Sequence, residues 1–480
     1  MSAFMIYHKL KKSRQTKLCR VGGGMYNFTK ITASIGPKSS DRKTIRDMIV
    51  AGADVFRINF SHDTCAVQGH KIDLIRDVAA EIGKPVAVIV DLQGPKHRIG
   101  DFETDEKYPL KVGQKFTFDD NPTPGNAKRI YLPDTDVLKS LKIGDRILLN
   151  DGNIEMTVES VAQHKVVATV VRGTEIWSRR GFNLPDTDVV TSSLTAKDRD
   201  DLEYAITKKP DYVAISFVQR GADVAYVREF IASRTSHPIK IIAKIERPNA
   251  VARIEEIVSA SDGIMIARGD LAVEVPFEEV PAISRKIIRT CRMMNRPVII
   301  ATQMLASMVD SEFPTRAEIS DVANTAYLRA DCAMTSEETT IGINPVNTID
   351  KMARILSFCD KDTVANPYDW SHVDNVPEND WSRSVSSMAY LNHAVAIVVF
   401  ARDTDTATQI SCRKPDIPII AVCNDNVVAN QLCLLRGISS IYDEQLFGMR
   451  DGFNTARRFG IHSGKLVIVD DDKISLRTLD

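Results

Sequence analysis

The sequence predicts an α/β protein: a (β/α)8 barrel of the TIM type, a small β-barrel lid inserted into it, and a C-terminal α/β domain. Three observations lead there. From about Thr29 a short apolar run, often rich in Val and Ile, alternates with an amphipathic stretch, eight times over. Inside the third unit helical periodicity vanishes. After about Ile355 a polar stretch precedes a further α/β pattern. A chain of 480 residues is also too long for one hydrophobic core.

The barrel strands are expected at 30–35, 55–60, 86–92, 212–217, 240–246, 263–267, 297–302 and 331–335. Helical patterns lie between them at 44–51, 68–81, 198–207, 222–232 and 278–294. Between roughly Ile99 and Pro185 short alternating segments take over (115–118, 146–149, 154–158, 166–171), punctuated by Asn121-Pro122, Pro124-Gly125, Gly144-Asp145 and Asp151-Gly152. An all-β insertion at a strand's C-terminal end overhangs the barrel mouth and can act as a lid. The final unit has strands at 396–401, 417–422, 438–442 and 466–469, with helices near 383–394 and 425–436. The expected domains are a basic tail (1–26), the barrel (27–98 and 187–355), the lid (99–186) and a C-terminal domain for regulation or assembly (356–480).

Composition excludes several classes. Lys and Arg total 62 against 63 Asp and Glu, which argues against a dedicated nucleic-acid binder. No run approaches the ~18 apolar residues of a membrane span. Eight scattered cysteines without a C-x-x-C pair suit a reducing cytoplasm better than a disulfide or metal framework. The first 26 residues lack Asp and Glu and contain Gly22-Gly23-Gly24. They read as a dispensable tail before Met25, from an upstream start codon assigned in error; deleting residues 1–24 should leave activity intact.

The strand ends carry the chemistry. Strand period is two, so Arg57, Asn59 and Ser61 share one face if the extended backbone continues, offering a guanidinium, an amide and a hydroxyl to an oxyanion. Lys244 and Glu246 are also two apart at a strand tip. The next strand supplies Arg268-Gly269-Asp270, and a pair of carboxylates from adjacent strands can seat Mg²⁺. Thr302 ends the seventh strand, and the third ends Asp91-Leu92-Gln93-Gly94-Pro95-Lys96-His97-Arg98. This set suits a small phosphate-bearing anion neutralised by a metal. Lys244 taken alone also fits a Schiff-base aldolase. His70 and His97 are expected to face solvent, and Asp470-Asp471-Asp472 to form a surface turn.

Taken together, the segments resemble the pyruvate kinase family over about residues 27–480. The matching segments are Thr29-Lys30-Ile31-Thr32-Ala33-Ser34-Ile35-Gly36-Pro37, Arg57-Ile58-Asn59-Phe60-Ser61-His62, Ala243-Lys244-Ile245-Glu246, Ala267-Arg268-Gly269-Asp270-Leu271, Ala301-Thr302-Gln303-Met304, Pro314-Thr315-Arg316-Ala317-Glu318 and Ser320-Asp321-Val322-Ala323-Asn324. The resemblance implies phosphoryl transfer from phosphoenolpyruvate to ADP, the last step of glycolysis, by a cytoplasmic homotetramer. On matching positions, Glu246 and Asp270 would hold Mg²⁺ or Mn²⁺. Lys244, Arg57, Gly269, Asp270 and Thr302 would meet the substrate. Arg98, Arg180, Asn59 and His62 would belong to the nucleotide side, with Arg57 and Arg98 holding phosphate groups. Thr302 would lie near the carbon protonated on the way to pyruvate, directly or through bound water.

Three departures stand out. Asn59, Ser61, Asp91 and Leu92 match monovalent-cation positions, but potassium-dependent relatives have an acid at Lys96 and usually Thr at Leu92. Lys96 is therefore expected to replace K⁺. Glu337 and Asp186 stand where Gly is usual, at the eighth strand and the lid hinge. The loop Arg402-Asp403-Thr404-Asp405-Thr406-Ala407-Thr408 puts two carboxylates where relatives bind a sugar phosphate, which disfavours ordinary fructose-bisphosphate activation. A catalytically impaired paralogue is the rival outside enzymes, and every residue expected to carry chemistry is retained.

Overall fold

A computed structural model describes residues 27–187, 189, 194–365, 381–471 and 473–480. The expected tail, the polar stretch 366–380 and Asp472 lie outside these. Eight parallel strands close into a barrel in sequence order: β1 (Lys30–Ser34), β2 (Val55–Asn59), β3 (Ala87–Asp91), β4 (Tyr212–Ile215), β5 (Lys240–Ile245), β6 (Gly263–Ala267), β7 (Val298–Ala301) and β8 (Cys332–Thr335). Helices such as Arg42–Ala51, Cys65–Ile82, Ala196–Thr207 and Val280–Met293 cover the outside.

Strand alternation sorts the side chains into two layers. On β2, Phe56 and Ile58 join the core under the helices, whereas Val55 points into the barrel with Ala87, Ile89, Ala214, Ile242, Met265 and Ile299. Two and four residues beyond Val55, the same inward face carries Arg57 and Asn59. Apolar side chains thus fill the lower interior, and polar ones occupy the layer at the strands' C-terminal ends.

Between β3 and β4 lies a six-stranded sheet in the order Phe182–Asn183, Arg146–Leu149, Ile154–Ala162, Lys165–Arg172, Lys115–Asp119, Arg129–Tyr131, with its own core around Phe116, Phe118 and Ile147. A two-stranded piece joins Tyr108–Pro109 to Glu175–Ile176. Helical periodicity is not fully absent here. A short helix, Thr135–Ser140, starts where Asp134 Oδ1 accepts from Val137 N at 3.2 Å.

The C-terminal sheet contains β9 (Ala396–Ala401), β10 (Ile419–Cys423), β11 (Ile438–Tyr442), β12 (Gly464–Asp470) and β13 (Lys473–Leu479), in the order β11-β10-β9-β12-β13. Strand β13 is absent from the sequence reading. It is an antiparallel edge strand, mostly exposed, in which only Ile474 and Leu476 alternate with polar residues before Arg477 and Thr478. Asp471, with φ +50°, sits in the turn before it.

This unit seals the barrel's lower end. Cys433 and Leu434 join the interior cluster, and Tyr212 donates its hydroxyl to Gln431 O at 2.7 Å. Asp331 accepts from Val298 N at 3.0 Å and Arg436 N at 3.1 Å, and pairs with Lys414 at 2.5 Å. Both partners of that pair are buried, so losing either would strand a charge at about 3–5 kcal/mol.

Candidate active site

The polar layer at the barrel's upper mouth is built on a network around Asp91 and Lys244, with the Lys96–Asp270 and Gly269–Thr302 contacts beside it. Arg57 Nε donates to Asp91 Oδ2 at 2.6 Å, and Arg57 Nη1 to Ser34 Oγ at 3.0 Å. Lys244 Nζ stands 2.9 Å from Glu246 Oε1 and 3.5 Å from Asp91 Oδ1, and donates to Ser216 Oγ at 2.8 Å. Ser216 Oγ in turn donates to Leu92 O at 2.7 Å. Phe217, in the left-handed region at φ +55°, aims its N–H at Glu246 Oε2, 2.7 Å away. Lys96 Nζ lies 3.7 Å from Asp270 Oδ1, and Gly269 N donates to Thr302 Oγ1 at 2.7 Å.

Burial sets the electrostatics. Removal from water would raise the Asp91 carboxyl, yet Lys244 and Arg57 outweigh it and hold the group below its ordinary value. Burial would likewise lower Lys244, but Asp91, Glu246 and Asp270 reverse the sign and keep it an ammonium. Burial and the neighbouring Asp270 push Glu246 up, partly offset by Lys244. Three cations (Arg57, Lys96, Lys244) face three carboxylates (Asp91, Glu246, Asp270) in one mouth.

The expected one-faced row Arg57, Asn59, Ser61 is interrupted. Strand β2 stops at Asn59, whose Oδ1 accepts from Ser61 N at 3.1 Å, so Ser61 sits in a turn. His97, expected in solvent, is buried with Nδ1 2.7 Å from Asp134 Oδ2. The returning lid strand covers it: Phe182 N donates to His97 O at 3.0 Å. His70 is exposed as expected. Arg98 and His62 are exposed; Arg98 Nη1 donates to Arg179 O at 3.1 Å. Arg180 lies 4.9 Å from the Trp177 ring centre. Among the described residues, no hydrogen bond or ion pair joins Arg98, Arg180 or His62 to the Lys244 network.

Two family models match this chain: the pyruvate kinase barrel domain over residues 26–349, and the pyruvate kinase alpha/beta domain over residues 380–473. The chain belongs to the pyruvate kinase family. A pyruvate kinase of Methylorubrum extorquens is 37% identical over 440 residues, covering 90% of each chain. One of Thermococcus litoralis is 35% identical over 457 residues, covering 93% of this chain and 94% of its own. The crystal structure of a pyruvate kinase from Cryptosporidium parvum superposes with a TM-score of 0.88 at 29% identity, covering 95% and 96% of the two chains.

Within this pyruvate kinase family chain, the donor set fits a hard divalent cation. Glu246 Oε1 is buried, and among the described residues no donor other than the Lys244 ammonium, 2.9 Å away, is directed at it. Asp270, one-third exposed, faces the same mouth, and among the described residues its one ion pair is a distant Lys96 contact at 3.7 Å. Carboxylate oxygen is the ligand type Mg²⁺ takes, usually one or two with the remainder from substrate and water.

Two residues of the site, Ser216 and Glu274, escaped the sequence reading. Ser216 follows Ala214 on the inward face of β4, so the alternation that finds Lys244 could have found it. Glu274, six residues beyond Arg268, is buried and accepts from Asn183 Nδ2 of the lid strand at 2.7 Å. No local pattern signals that contact across 91 residues. At the two unusual positions, Asp186 pairs with Arg146 through Nε and Nη2, both at 2.8 Å, which also holds its carboxyl below the ordinary value. Glu337 is exposed.

Proposed function

We propose that this chain transfers the phosphoryl group of phosphoenolpyruvate to ADP, yielding pyruvate and ATP, as the final step of glycolysis. The observation that carries the reading is the convergence of Lys244, Arg57, Glu246, Asp270 and Thr302 at one barrel mouth, built from four different strands' ends. The P–O bond of the enol phosphate breaks, a β-phosphate oxygen of ADP takes the phosphoryl group, and the enolate is protonated at its methylene carbon. Such chemistry asks for positioning and charge neutralisation rather than a covalent intermediate.

Each residue has a task. Lys244 neutralises the transferring phosphoryl group and the enolate oxygen, fixed in place by Ser216 and Asp91. Arg57 holds a phosphate oxygen, its own orientation set by Asp91 and Ser34. Glu246 and Asp270 would hold Mg²⁺ or Mn²⁺, which would supply positive charge to the substrate's oxygens. Thr302 lies beside the carbon that accepts the proton, which arrives directly or through water. Arg98, Arg180, Asn59 and His62 serve the nucleotide side. A Schiff-base role for Lys244 needs a lowered amine pKa, whereas its neighbours raise it.

Lys96 supplies the charge that K⁺ provides in dependent relatives, so the enzyme works with Mg²⁺ alone. It acts in the cytoplasm as a homotetramer; among the described residues no helix is long and apolar enough to cross a membrane. The lid (99–186) moves over the mouth, and the C-terminal unit serves regulation or assembly. A coupled assay for pyruvate, with ADP, Mg²⁺ and K⁺ each omitted in turn, tests the whole reading. Pyruvate formation independent of ADP would sink it.

A further inference from the structure

Strand β7 does not end in an ordinary turn. Thr302 and Gln303 follow Ala301 with φ +70° and +56°, two consecutive side-chain-bearing residues in the left-handed region, the first β-branched. Such a conformation survives only where its surroundings hold it. One side chain bonds the backbone on both sides of this bend. Arg268 donates from Nη2 to Thr302 O at 2.7 Å and from Nε to Ala301 O at 3.3 Å, and its Nη2 lies 2.9 Å from Met304 Sδ.

The guanidinium is itself locked. Nη1 and Nη2 reach Asp321 Oδ1 and Oδ2 at 2.8 and 2.7 Å, a planar two-bond fork that a lysine cannot make. Asp321 sits on the helix Arg316–Tyr327, whose first turn is fixed by the reciprocal Thr315–Glu318 cap. Glu318 also accepts from Ser307 N at 2.7 Å, tying down the loop beyond Met304. The next residue after Arg268 completes the clamp: Gly269 N donates to Thr302 Oγ1 at 2.7 Å, and that hydroxyl donates to Ala301 O at 2.6 Å.

We propose that Arg268 is a positioning residue, which with Asp321 holds the Thr302–Gln303 peptide left-handed and so presents the Thr302 hydroxyl at the barrel mouth. Its kinetic consequence rests on the proposed role of Thr302 beside the protonated carbon. The Asp321 segment, which carries part of the family resemblance, thereby gains a task without touching substrate.

The test is a cycle of Arg268→Gln, Thr302→Ala and the double variant, with Arg268→Lys, Asp321→Asn and Arg268→Gln/Gln303→Gly beside them. Two readouts are taken: kcat and KM for pyruvate formation, and hydrogen exchange of the Gly269 amide by mass spectrometry. Arg268→Gln should lower kcat about 100-fold, Arg268→Lys should not rescue it, and Asp321→Asn should give a smaller loss. Adding Arg268→Gln to Thr302→Ala should cost less than about 2-fold more. Glycine at 303, which accepts positive φ, should restore part of the loss. The Gly269 amide should exchange at least about 10-fold faster in Arg268→Gln and in Thr302→Ala alike. Losses that multiply in the double variant, or unchanged Gly269 exchange in Arg268→Gln, would overturn the proposal. Absence of pyruvate formation in the parent would refute the assigned reaction instead, and the exchange measurement alone would then decide the positioning role.

Discussion

Replacing Lys96 by Glu is the perturbation whose size can be worked out most directly. The ammonium stands at the mouth, 3.7 Å from Asp270 and about one-third exposed. A unit charge about 4 Å from a substrate oxygen is worth from about 1 kcal/mol in bulk water to about 4 kcal/mol near a protein surface. Taking about 2 kcal/mol at this exposure, removal of the cation costs about 30-fold in kcat/KM. The new carboxylate repels the anionic substrate, so about 30-fold is a floor for the variant without K⁺. The same carboxylate is an oxygen ligand for a monovalent cation, so added K⁺ should recover most of the loss. Initial rates of pyruvate formation are measured with Mg²⁺ saturating, at constant ionic strength, with K⁺ titrated against tetramethylammonium. The parent should be insensitive to K⁺. A parent stimulated many-fold by K⁺, or a variant that K⁺ leaves unchanged, would refute the charge-replacement argument.

Other outcomes follow from the same network. Lys244→Met should lower kcat at least about 100- to 1,000-fold; it should also lower the melting temperature, since Asp91 and Glu246 lose their buried cation. Glu274→Gln keeps an acceptor for Asn183 but removes a carboxyl that burial pushes above its ordinary 4.5. A raised folded value means the ionised parent loses stability as pH rises from about 4.5 through that value. The variant's melting temperature relative to the parent should therefore climb between pH 4.5 and 7, and a flat or falling difference would contradict this. Fructose bisphosphate should not activate: Thr404 is buried with its hydroxyl bonded to Lys240 Nζ at 2.5 Å, and Asp403 and Asp405 flank it. Several-fold activation in a sugar-phosphate titration would show that reasoning wrong.

The sequence was most legible where one physical period governs. Alternation along β2 and β5 places Arg57, Lys244 and Glu246 on inward faces, and short apolar runs, most of them rich in Val and Ile, mark the barrel strands. Legibility failed where long-range packing decides. His97 looks like a surface residue beside Lys96 and Arg98, but the lid's return strand buries it against Asp134. The Asn183–Glu274 bond and the Arg268–Asp321 fork join residues 91 and 53 apart, with no local signature. The helix at Thr135–Ser140 is too short to show a period, and the alternation in β13 is confined to Ile474 and Leu476.

The measurement that bears most directly on the account is single-turnover phosphoryl transfer from labelled phosphoenolpyruvate, with and without ADP, in the parent and in Asp270→Asn. The account predicts label in ATP only when ADP and Mg²⁺ are both present, no label retained on the protein, and at least about a 100-fold slower transfer in the variant. Label fixed on the protein, or transfer unchanged by Asp270→Asn, would contradict it.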